Sequence, residues 1–147
     1  MSTCYRKFEA PSSVEGRLPI DQSPWHFERY AQIPLRHWEM LIEFAKEIDA
    51  DRAIKLEDSS VGSFENDDYL NLSEADMTAV ISFMEEMKER LGSTQSIFPL
   101  LKDRVFNDKY DMYDEYENDE YQRMLEAVIT VYKESQRLGE PVCAYND

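Results

Sequence analysis

Tyr110, Tyr113 and Tyr116 recur at three-residue steps, with Asp111, Asp114, Glu115 and Glu117 filling the positions around them. A tyrosine brings a rigid apolar body with a hydrogen-bonding tip, and a carboxylate receives Lys or Arg. The segment therefore has the ingredients of an interface against a basic protein. The same rings would equally suit the edge of a core, with the acids simply solvated. These residues belong to one of two acidic blocks. Residues 107–121 hold seven carboxylates against Lys109, and residues 57–76 hold seven with no Lys or Arg, so the blocks supply −13 of a formal net charge of −15. Charge gathered in this way steers a basic partner. Asp67 and Asp68, in the earlier block, are the secondary contact candidates.

Other chemistry fits the residues less well. A calcium loop of the EF-hand kind needs early oxygen ligands at alternate positions, a glycine at the sixth and a closing glutamate. Residues 108–120 lack the glycine and place Tyr110, Met112 and Tyr113 among the ligand positions. His26, His37, Cys4 and Cys143 match no usual zinc spacing, and both histidines read as partner-free packing or surface residues. His37, beside Trp38, could make a pH-sensitive contact by residue type alone. The chain has no glycine-rich phosphate loop, nucleophile elbow or HExxH, and its many acids make any carboxylate pair uninformative. We assign no catalytic residue, metal ligand or cofactor. Mimicry of a nucleic acid would need about one charge per 1.7 Å of axis. Seven acids over fifteen helical residues supply one per about 3 Å, so both blocks would have to lie side by side.

The bulk composition limits what can position such a segment. At 147 residues, 42% hydrophobic and 12% aromatic, the chain can bury a core as one domain. Four glycines and six prolines are few for a turn-rich β fold. No apolar run reaches the roughly 20 residues that span a bilayer, and residues 1–10 carry no export pattern. The chain reads as soluble and cytoplasmic, with Cys4 and Cys143 as free thiols. Its acidity argues against direct binding to nucleic acid or an anionic membrane.

Along the chain, residues 1–33 show no sustained period and read as an irregular lead-in docked by Trp25, Phe27 and Tyr30. Leu35, Trp38, Leu41, Ile42, Ala45 and Ile48 predict an amphipathic helix over 34–49 that opens at Pro34. Ala53 to Leu56 fits a strand or a further helical turn. Ser73 predicts the cap of a helix from Glu74, with Asp76 answering it, Leu72 stapled onto Met77, and Gly92 as left-handed terminator. Its stripe is Met77, Val80, Ile81, Met84 and Leu91. One or two turns follow around Pro99, and a last helix runs from about 119 to Gly139, leaving 140–147 as a tail. The fold class expected is mainly α, a compact bundle of three to five helices, with allowance for one short strand pair.

This combination resembles in general type the bacterial immunity proteins that neutralise nuclease toxins. The resemblance is one of composition and involves no aligned motif. It implies a non-enzymatic acidic protein that inhibits a basic partner, whose field speeds association before aromatic anchors slow release. Two further readings stand beside it: a nucleic-acid mimic that blocks a DNA- or RNA-binding protein, and a structural subunit or adaptor whose exposed Trp25, Trp38 and Met faces pack on a like chain.

Overall fold

Phe8 is flanked across a sheet by two small residues, Ala31 on one neighbouring strand and Ala144 on the other. Its ring thereby gains room to meet Trp38 edge-on at 5.0 Å and Tyr132 at 5.9 Å. The structure, a computed structural model, describes residues 4–10, 18, 23–107 and 114–147. Its sheet is antiparallel with strand order β2-β3-β1-β4, built from β1 (Tyr5–Glu9), β2 (His26–Phe27), β3 (Tyr30–Pro34) and β4 (Cys143–Asn146). The expectation of at most one strand pair is corrected: the lead-in contains β1, β2 and most of β3, and the tail is β4. The strands are two to five residues long. That is too short for a period-2 pattern to show, and β1 finds β4 at the far end of the sequence.

The fold is nonetheless mainly helical. Helix α1 (Leu35–Ile48) begins directly after β3, with Pro34 still extended (φ −53°, ψ 128°) rather than in the first turn. Asp49 is extended and accepts from the Arg52 amide at 3.1 Å, which starts a second helix, α2 (Ala50–Asp58). This settles Ala53 to Leu56 as helix. In α3 (Glu74–Leu91), Ser73 Oγ accepts from the Asp76 amide at 3.1 Å, while the Asp76 carboxylate turns away to Lys55 at 2.7 Å. The expected stripe is buried, joined by Phe83 and Met87. Gly92 is right-handed (φ −73°), so the left-handed terminator expected there is absent. Helix α4 (Ile97–Leu101) starts two residues before Pro99.

The longest element, α5 (Asn118–Leu138), ends on Gly139 at φ 66°, the left-handed geometry that favours glycine. It runs antiparallel to α3, as cross-links from Lys88 to Glu126 (2.7 Å), Glu85 to Lys133 (3.6 Å) and Thr78 to Gln136 (2.7 Å) show. Buried side chains from both helices and the sheet form one hydrophobic cluster.

The outer edge of β4 is covered by the first acidic block. Gly62 N–H donates to the Ala144 carbonyl (2.8 Å), Ala144 N–H to Asp68 (2.9 Å) and Leu70 N–H to Val142 (2.8 Å). An open edge is a template for unwanted pairing, and this loop closes it. Cys4 precedes β1 whereas Cys143 lies opposite Glu9 at the other end of β1. About 17 Å of strand separates the two thiols, beyond disulfide reach, and both are free.

Candidate functional site

Of the sequence-derived candidates, Tyr110, Asp111 and Tyr113 fall outside the described residues, as does the first half of the calcium-like stretch. Asp114, Glu115, Tyr116 and Glu117 lie in an irregular approach to α5, where Glu117 takes the extended cap position (φ −84°, ψ 167°). The three carboxylates are exposed and Tyr116 is half-buried. Its ring stands edge-on to His37 at 4.6 Å and to Trp25 at 5.2 Å. Tyr116 Oη donates to Asp114 Oδ2 at 3.4 Å. This tyrosine therefore joins the core edge while its neighbours face solvent.

Beneath it lies His37, 3% exposed and in contact with Phe106 and Phe98. Its Nδ1 is 2.8 Å from Tyr121 Oη, and Asp114 lies close enough to favour the charged form of the ring. Burial holds His37 down to about 4 against the opposing pull of Asp114, so the ring is neutral at pH 7. Burial likewise raises the Tyr121 phenol, which keeps its proton. A neutral imidazole has one donor and one acceptor. One of the two groups, Tyr121 O–H or Nδ1–H, donates in this contact according to the ring's tautomer. The expectation of a partner-free histidine is corrected: His37 brackets α1, α5 and the acidic segment together.

Asn118 completes the bracket. Its Nδ2 donates to the carbonyls of Leu91 (3.1 Å), Thr94 (3.2 Å) and Gln95 (3.0 Å), and its Oδ1 accepts from Ile97 N–H at 3.0 Å. Ser96 Oγ adds a bond to Glu117 at 3.0 Å. Asp114, Glu115 and Glu117 are therefore presented on a backbone fixed from behind, which lowers the ordering cost of binding.

Asp67 and Asp68 occupy the loop over β4, both left-handed (φ 52° and 66°), with Asp67 exposed and Asp68 half-buried. Cys143 Sγ lies 3.7 Å from the Asp67 carbonyl, and burial, then Glu9, Asp68 and Asp67, push its thiol up to about 11. It is a poor nucleophile in this setting. The two blocks meet α5 at separate places: Tyr132 Oη donates to the Ser59 carbonyl (2.8 Å), whereas Glu117 caps the first turn. Fifteen residues of helix, about 22 Å, lie between. The described acids are thus not laid side by side as nucleic-acid mimicry requires.

Residue type alone did not reveal the His37 bracket, because its partners lie far along the chain, nor the Asn118 clamp. A terminal Asn just before an apolar helical run was the available hint for the latter. Trp25 and Trp38 are 6% and 1% exposed, so neither indole is available for a contact with a like chain. Among the described residues no group of three His, Cys, Asp or Glu side chains could hold a metal, and no helix is long and apolar enough to cross a membrane. No family model, curated protein or solved structure matches the chain.

Proposed function

We propose that this chain is a cytoplasmic, non-enzymatic acidic protein that inhibits or sequesters a basic protein, in the manner of an immunity protein neutralising a nuclease-type toxin. The observation that carries the reading is the set of exposed carboxylates, Asp114, Glu115 and Glu117, held by the buried pair His37 and Tyr121 and by the half-buried Asn118. A nuclease needs a cationic cleft for its substrate, and a fixed acidic surface can enter that field without first paying for order. The net charge of −15 supplies the long-range part of the attraction. Tyr110, Asp111 and Tyr113 extend the proposed contact, with Asp67 and Asp68 as outlying contributors.

Affinity capture with the tagged chain from lysate of its native cells, at low salt and at roughly 0.5 M salt, tests this, since salt screens exposed charges. The expected result is one basic protein, released by salt, whose association rate drops about tenfold on reversal of Asp114, Glu115 and Glu117 to Lys. Recovery of only the same chain, or of an acidic partner indifferent to salt, would overturn the proposal.

A further inference from the structure

The most exposed large apolar side chain among the described residues is Phe64, at 94%, in a short 3-10 turn (Phe64–Asn66) of the loop that covers β4. Val61 and Tyr69, also exposed, stand at the two feet of the same loop. A phenyl ring left wholly in water on a well-formed loop calls for an explanation of the kind an isolated surface leucine does not. The loop is closed by its own backbone: Ser63 accepts from Asn66 and Asp68 (both 3.0 Å), and Asn66 from Tyr69 (3.0 Å). Together with the bonds to β4, this means the ring is displayed on a pre-ordered support.

The loop itself is acidic, and the cations that reach its surroundings, Arg6 at the Ser60 carbonyl and Lys55 at Asp76, come from outside it. Residues 56–87 contain no Lys or Arg, and Glu65, Asp67 and Asp68 lie between Phe64 and Tyr69. Just past Leu70, a cleft of about 610 Å³ opens between the start of α3 and the end of α5. Leu72, Met77, Leu138 and Pro141 line it together with Glu74, Glu140 and Arg137, the last paired with Glu134. The aromatic protrusion, the apolar side chains in the mixed lining of the cleft and the loop carboxylates together fit a partner that offers cations and aliphatic side chains at once.

We infer that residues 61–69, with Phe64 as anchor, are a docking surface for a Lys- and Arg-rich polypeptide segment whose apolar side chains cover Phe64 and enter the neighbouring cleft. The inference rests on the proposed binding of a basic protein and adds a second contact, about 22 Å along α5 from Glu117.

The test is selection of a random dodecapeptide phage library on the immobilised full-length chain, followed by binding of the enriched clones to variants. Phe64→Ser removes the anchor at a solvated position, and an unchanged melting curve establishes that the fold is kept. Asp67→Asn with Asp68→Asn removes the charge with a residue that tolerates left-handed backbone. The expected outcome is clones rich in Lys or Arg with aliphatic residues. Phe64→Ser should weaken them about 30-fold, as loss of an interface hot spot does, and the double Asn variant should weaken them in a salt-dependent way. Cationic clones that bind Phe64→Ser as well as wild type, but are lost on reversal of Asp114, Glu115 and Glu117, would overturn this inference and leave the proposed function standing. Clones no richer in Lys and Arg than the input library would overturn both.

Discussion

His37 is held by different parts of the chain, the Tyr121 hydroxyl on α5 and the ring of Tyr116 on the acidic segment. The site favours the neutral ring, because burial among aromatic side chains penalises the charged form. The folded value of about 4 lies below the ordinary 6.5, so the folded state disfavours the charged ring. The stability this contributes is complete above about pH 6.5, declines as pH falls through that window, and is gone below about pH 4. Its size is on the order of 2 to 3 kcal/mol. His37→Gln keeps a donor and an acceptor without titrating. Urea unfolding of both proteins at a series of pH values should show the advantage of wild type over His37→Gln shrinking by that amount from about pH 7 to about pH 4. Most carboxylates are common to both and cancel in the difference. An advantage that stays constant would mean the imidazole is hydrated in the folded state, and the bracket would fail as an explanation of how the acidic segment is fixed.

The loop over β4 is the element in which sequence and structure part most clearly. Gly62 is one of four glycines, and its role depends on a residue six positions later: a Cβ at Gly62 would overlap the carbonyl of Asp68. That carbonyl accepts from Ala144, so a side chain at 62 would push the loop off the strand it covers. Gly62→Ala is expected to cost about 2 kcal/mol or more in chemical unfolding, and to expose an edge prone to pairing. Gly139→Ala should cost only about 1 kcal/mol, because its Cβ meets nothing within 4 Å and only the left-handed backbone objects. Equal costs at the two sites would mean the loop is easily displaced. The nine-residue α2 and five-residue α4 are too short for the helical period to place them, whereas the three long helices, α1, α3 and α5, were legible because their apolar residues recur over several turns and because Ser73 and Gly139 mark ends locally. The strands were not, since a five-residue β1 pairs with residues some 140 positions away and carries one fully buried side chain, Phe8. The site divides in the same way. Exposed acids and a half-buried Tyr116 follow from residue type, whereas the burial of His37 and the solvation of Phe64 depend on contacts that no local pattern encodes.

At the scale of the whole molecule, 31 acids face 16 Lys and Arg. If every cation were paired, fifteen carboxylates would still repel one another across a small surface. Exposed pairs such as Lys88–Glu126 and Lys55–Asp76 contribute little each, and screening weakens them along with the repulsion. The sign of the salt response therefore reports which sum is larger, and the excess of like charge makes repulsion the larger one. Raising NaCl from roughly 0.02 M to roughly 0.2 M shortens the Debye length from above 20 Å to about 7 Å, which removes most of the long-range repulsion but leaves contact pairs partly intact. Thermal unfolding should accordingly shift upward by several degrees over that range. The same screening that stabilises the free chain would slow the proposed capture of a cationic partner, so salt should raise the melting temperature while lowering that association rate. A melting temperature that falls with salt would show that surface ion pairs outweigh the charge excess. The −15 charge would then be distributed too evenly to form the steering field that the proposed function requires.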